Sequence, residues 1–136
     1  MQDKSRPSIW YDDSGQRYKI THPTSTQLMQ LIEQLNNETK TFVAINQATT
    51  GITICGGNSN RVSVLFQSVG QGYGKLVDKD STSDDEIYIA IEDNLDPEPF
   101  RLTVTKEIAY QVGEYFLEHG IVPKGLAWEG DMSKNA

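Results

Sequence analysis

Between Lys40 and Val69 the chain reads "KTFVAIN", "GITICGG" and "RVSVLFQSV", three short β-branched or aromatic runs parted only by "QATT" and "GNSN". Stretches of this kind, so closely spaced, predict strands joined as antiparallel hairpins. Val62, Val64 and Phe66 alternate with Ser63, Leu65 and Gln67, so one side of that strand points inward and the other is mixed. "EIYIAIED" repeats the theme, with Ile87, Ile89 and Ile91 on one face opposite Tyr88, Ala90 and Glu92. "SIWYDD" and "QRYKITH" predict two further strands around Ser14-Gly15.

Two helices interrupt the strands. In "PTSTQLMQLIEQLNN", Leu28, Leu31, Ile32 and Leu35 fall at helical spacing, Thr24 with Gln27 makes a capping box, and Asn36-Asn37 supplies a stop. In "TVTKEIAYQVGEYFLEHGIVP", Ile108, Val112, Tyr115 and Phe116 form a stripe between an N-cap at Thr105 and a C-cap glycine at Gly120. Ile121 is placed to fold back on the last turn, and Pro123 stops the helix from continuing. Gly113 inside it costs about 1 kcal/mol relative to alanine, a hint that something packs close there. "GLAWEG" then closes the chain with a short strand, and "GDMSKNA" reads as a frayed tail. The expected fold class is α+β: a largely antiparallel β-sheet with two α-helices packed on it, residues 1–136 forming one domain.

The stretch "GQGYGK", residues 70–75, imitates a phosphate grip without being one. Gly70 stands one residue too close to Gly74-Lys75 for a P-loop, Leu76 replaces the required hydroxyl, and the dinucleotide glycine spacing fails as well. The acids that follow, from Asp78 to Glu86, would repel phosphate. Residues 70–85 are therefore expected to be a long flexible connection inside the sheet, of the length that is usually functional or disordered.

Chemistry is sparse elsewhere. Two histidines, His22 and His119, and the single Cys55 are too few for a zinc site built on Cys/His pairs, and the acids of "DKDSTSDDE" lack the order of a calcium loop. Cys55 lies between Ile54 and Gly56 in a strand, where a cysteine serves as a small apolar filler. His119 sits where a helix C-terminus favours positive charge. No cofactor, no metal and no catalytic residue is expected. A net charge of −7 and a pI near 4.7 argue against nucleic acid or an anionic membrane as partner. The unpaired cysteine and the lack of a long apolar run fit a reducing, cytoplasmic setting.

What remains is an acidic surface suited to a basic protein. Asp78, Asp80, Asp84, Asp85 and Glu86 are the carboxylates expected to meet it, and Tyr73 and Tyr88 would supply buried contact area. Enzymes acting on nucleic acids offer the commonest basic clefts, which a carboxylate-rich loop would occupy as a phosphate chain does. On this reading the loop acids are solvated, and reversing their charge leaves thermal unfolding nearly unchanged.

The stretch "VTKEIAYQVGEYFLEHGIVPKGLAWEGD" resembles the C-terminal signature of the first family of immunity proteins in bacterial polymorphic toxin systems, with Gly120, Pro123, Trp128 and Glu129 its distinctive residues. "ITICGGNSNRVSVLFQ" is similar to that family's central hairpin; residues 1–23 lie outside the resemblance. The resemblance implies an α+β fold and a non-enzymatic task, binding and neutralising a cognate toxin domain, commonly a nucleic-acid deaminase or nuclease. Trp128 is expected to lock the second helix to the sheet, along with Gly120 and Pro123 as scaffold, while Glu129 is a further contact candidate. Two alternatives stand beside it: a secretion chaperone or adaptor that delivers an effector, and a small hydrolytic enzyme using His22 or His119 as base.

Overall fold

The computed structural model describes residues 6–70 and 72–131. In chain order the elements are β1 (Ser8–Asp13), β2 (Gln16–Thr21), α1 (Ser25–Gln34), β3 (Phe42–Gln47), β4 (Thr50–Asn58), β5 (Arg61–Ser68), β6 (Gly72–Leu76), β7 (Glu86–Ile91), β8 (Asn94–Pro99), a short 3-10 turn at Phe100–Leu102, β9 (Val104–Thr105), α2 (Lys106–His119) and β10 (Trp128–Gly130). The fold is α+β, a mostly antiparallel sheet with both helices packed against it. Its main sheet runs β10-β6-β5-β4-β3-β1-β2, with β9 alongside β5, and β7–β8 form a separate two-stranded ribbon. No helix among the described residues is long and apolar enough to cross a membrane.

Local chemistry accounts for the tight turns. Ser59 and Asn60, both at positive φ, join β4 to β5, and Ser14-Gly15 do the same for β1 and β2. These two-residue connections match the right-handed twist of antiparallel strands. α1 begins on the expected capping box, with Thr24 Oγ1 accepting from the Gln27 amide and Gln27 Oε1 from the Thr24 amide. Its Leu28, Ile32 and Leu35 are buried in one contiguous cluster with Ile9, Ile45, Ile52, Ile54, Val64 and Phe116.

α2 departs from its expected stripe. Its buried face is Ala109, Val112, Gly113 and Phe116, whereas Tyr115 is exposed and its ring lies 4.3 Å from that of His119. The face is set by Gly113, where a Cβ would stand 3.3 Å from Ile45 Cδ1 and Leu28 Cδ2. That bare backbone lets the helix sit close to the sheet and to α1, which rotates Tyr115 to the flank. Gly120 caps the helix in the left-handed conformation as expected, but Ile121 does not fold back; it is 55% exposed.

The connection expected over residues 70–85 is the main correction. Gly72–Leu76 form β6, between β5 and β10. Gly130 of β10 permits the close approach: a Cβ there would lie 2.6 Å from the Tyr73 carbonyl oxygen and 2.8 Å from Gly74 Cα. Only Val77–Asp85 is irregular, and it is not slack. Backbone bonds run from the Asp78 amide to Arg101 O, from the Arg101 amide to Ser83 O and from the Phe100 amide to Asp85 O. β7 is likewise not in the main sheet, and it pairs with "NLDPEP", a segment whose two prolines conceal a strand. Gln71 and the tail beyond Asp131, for which fraying was expected, lie outside the described residues.

Candidate functional site

The helices cover one face of the main sheet, that of Ile9, Ile45, Ile52, Ile54, Val64 and Phe66. Period-two alternation puts the intervening residues on the second face. Register aligns Lys19, Trp10, Ala44, Thr53, Leu65 and Lys75 in one row across the sheet. The β7–β8 ribbon lies over part of this face. Ile91 lines one groove with Ala44 and Thr53, and Lys75 holds Glu98 at 2.7 Å.

Polar ties rather than strand pairing fasten the ribbon. Asn37, in the left-handed conformation, donates to Tyr88 O at 3.2 Å and accepts from the Ala90 amide at 2.7 Å, so its side chain stands in for a paired strand. Asn58 donates to the same Tyr88 carbonyl at 2.9 Å. Thr41 Oγ1 donates to the buried Asp12 and accepts from the Glu92 amide, which links β1 to the ribbon's tip. Because Tyr88 O and the Ala90 amide point towards Asn37, the facing Pro97 directs its nitrogen to the ribbon's open edge, where no ladder donor is needed.

Asn37→Ala removes both amide contacts and leaves Ala90 N–H without its acceptor. We expect a loss of about 2 kcal/mol in global stability, and faster hydrogen exchange confined to residues 88–92. Exchange rising equally across β3–β5 would show that the ribbon is not separately held.

Charge is distributed unevenly over this surface. Residues 78–98 carry nine acidic side chains and one lysine, while the rest of the chain holds ten acids against eleven bases. The molecule's net negative charge therefore resides in the 77–85 segment and the ribbon. Four of the nine acids are engaged internally: Asp78 with Arg61, Asp84 with Arg101, Glu92 with Arg17 and Glu98 with Lys75. Asp80, Asp85, Glu86, Asp93 and Asp96 are exposed, and none of them makes an ion pair among the described residues.

The candidates from sequence divide accordingly. Tyr73 and Glu129 belong to β6 and β10 on the second face, and Tyr88 is exposed on the ribbon. Asp84 and Glu129 are brought together by Arg101, each at 2.7 Å, and these two carboxylates raise its already high pKa, Glu129 foremost. Asp80, Asp85 and Glu86 remain open to solvent. Asp78 does not, since it is 8% exposed and accepts from Arg61 at 2.7 Å and from the Asp80 amide at 2.9 Å. The expectation that every loop acid is solvated is therefore corrected at Asp78; Asp84 stays 74% exposed, although it is paired with Arg101. Asp93 and Asp96 were missed, although their acidity and the turn between β7 and β8 were legible signals.

Trp128 packs on Phe66, ring centroids 5.9 Å apart, and Gly120 and Pro123 line a cavity of about 360 Å³ beside it. Burial, with Glu98 adding to it, pushes the Cys55 thiol up to about 12, so no thiolate is available near neutrality. His22 accompanies Arg6 after the edge strand β2, while His119 ends α2. No three His, Cys, Asp or Glu side chains among the described residues gather as metal ligands.

A groove of about 320 Å³ opens on the second face beside the ribbon. Phe42, Ala44 and Thr53 form its floor, Trp10 and Ile91 its walls, and the Arg17–Glu92 pair its rim. Arg17 grips both Glu92 oxygens at 2.6 Å, and this holds the carboxyl below its ordinary range. No protein-family model and no curated protein matches the chain.

Proposed function

We propose that this protein is an immunity-type inhibitor, which binds the basic substrate cleft of a toxin domain acting on nucleic acid, a deaminase or nuclease, and blocks it sterically and electrostatically. The observation that carries this reading is the concentration of the net charge in one segment and ribbon, with Asp80, Asp85, Glu86, Asp93 and Asp96 free to pair outward. Such a patch speeds encounter with a cationic protein and turns away anionic competitors. Support also comes from the resemblance carried by Gly120, Pro123, Trp128 and Glu129. The task is non-enzymatic, needs no cofactor, and belongs in the cytoplasm of the cell that makes the toxin.

The test uses the product of the adjacent reading frame, purified and expressed in cells with and without this chain. Protection is expected, with loss of the toxin's activity in the isolated complex. Changing the five free acids to lysine is expected to weaken that complex by more than about 100-fold at low salt, with the unfolding midpoint shifted by a few degrees at most. A five-lysine variant that protects as well as the parent, or a complex in which the toxin stays active, overturns the proposal; the latter is the behaviour of a delivery chaperone.

A further inference from the structure

The open part of the second face has a shape that the acidic patch does not explain. Along the row from Trp10 to Lys75, two of the three interior positions are the small Ala44 and Thr53, and in the adjacent row Gly51 stands between Asn46 and Gln67. Small residues flanked by Trp10 on one side and by Leu65 and Tyr73 on the other make a trough. The row crosses five strands, about 19 Å at ordinary strand spacing. Neither helix reaches this face, and the ribbon forms one bank of the trough through Ile91.

Two of the three cations nearby are held by carboxylates. Arg17 is held by Glu92, Lys75 by Glu98, and Lys19 sits 5.6 Å over the Trp10 ring. The ribbon that forms this bank carries three exposed acids without an ion pair among the described residues, Glu86, Asp93 and Asp96, against one nearby cation without a carboxylate partner there, Lys19. The trough's floor is apolar and its ribbon bank net anionic, so it fits an apolar side chain carried between cationic residues. A second copy of this chain, itself at −7, is the wrong complement.

We infer that the trough is the anchor site for the basic partner, taking one large apolar or aromatic side chain from a cationic segment while the ribbon acids pair with its flanks. This rests on the proposed function for the partner's identity and adds the groove residues Trp10, Ala44 and Thr53 to the contact set. Buried aromatic anchors surrounded by polar pairs are the usual source of affinity at such interfaces.

Three acetylated and amidated pentapeptides, KKWKK, KKAKK and EEWEE, serve as probes in an NMR titration of the whole chain. KKWKK is expected to shift the Trp10 indole N–H and the Ala44 and Thr53 amides, and to bind at least about tenfold tighter than either of the others. Ala44→Phe fills the trough and is expected to abolish the preference for KKWKK over KKAKK; Asp93→Asn with Asp96→Asn, on the exposed ribbon, weakens both cationic peptides alike and preserves their ratio. Equal binding of KKWKK and KKAKK, shifts that map elsewhere, or self-association that Ala44→Phe abolishes would each overturn the assignment. Toxin neutralisation that survives Ala44→Phe removes the groove but leaves the inhibitor reading intact, whereas tryptophan-dependent binding in the trough without any neutralisation does the reverse.

Discussion

Replacing Asp78 with alanine is expected to lower the stability of the fold by about 3 kcal/mol, because it strands the Arg61 guanidinium. The two side chains are 10% and 11% exposed, and Arg61 is further fixed by its bonds to Thr103 Oγ1 at 3.0 Å and Thr103 O at 2.6 Å and by the Phe100 ring 4.0 Å away. Deleting one partner of such a pair leaves the other charge desolvated and uncompensated. For a domain of this size the unfolding midpoint should fall by roughly 10 °C. Asp78→Asn keeps an acceptor for the Asp80 amide and should cost less.

The same pair makes a pH prediction. Partial burial pushes the Asp78 carboxyl up, but the hydrogen bonds from Arg61 and the Asp80 amide, with the Arg61 charge, outweigh it and leave the carboxyl below its ordinary range. A carboxyl whose pKa is lower folded than unfolded stabilises the fold fully above its unfolded pKa and loses that contribution as pH falls through the folded one. The difference between parent and Asp78→Ala should therefore be constant from about pH 5 to pH 8 and shrink below about pH 4. Denaturant titrations at both ends of that range decide it. A difference that persists unchanged at pH 2.5 would show that packing, not the ion pair, is its source.

Gly57→Ala is the second large effect. Gly57 lies at φ +110°, and a Cβ there would stand 2.5 Å from Leu35 O, 2.6 Å from the Leu35 carbonyl carbon and 2.8 Å from the Asn36 nitrogen. Those are backbone atoms at the end of α1, and Leu35 O already accepts from Lys106 Nζ at 2.6 Å, so the helix end cannot yield without losing its contacts. We expect a cost of about 3 kcal/mol or more from overpacking and backbone strain together. Gly15→Ala is the control, since Gly15 also has positive φ but nothing within 4 Å of its added carbon; it should cost about 1 kcal/mol. Equal losses at the two positions in urea unfolding would mean that the close approach at Gly57 is not what matters there.

The segments that read correctly are those whose identity is set by near neighbours. Leu28, Ile32 and Leu35 share a helix face by spacing alone, and Thr24 and Gln27 cap it three residues apart. β1 to β5 announce themselves by alternation and by turn residues such as Ser59-Asn60. β6 and β8 were invisible because "GYGKL" and "NLDPEP" hold no such signal. They are strands because β10 lies against the glycines of one and β7 against the other.

The acidic site divides in the same way. That residues 78–86 are rich in carboxylates is plain from the chain, yet Asp78 is claimed by Arg61 and Asp84 by Arg101, each seventeen positions away. Trp10, Ala44 and Thr53 were not candidates at all. The alternation of β1, β3 and β4 already put them on one face, but not which face would stay open.

By itself the amino-acid order determined the helices, the hairpins, the α+β class and the sign of the surface, since propensity, periodicity and charge act over a few residues. Only the tertiary structure decided which carboxylates remain free, that a proline-bearing ribbon leaves the main sheet, and that a trough lies beside it. Those outcomes depend on pairings between distant residues, where desolvation and close packing, rather than local preference, select the partner.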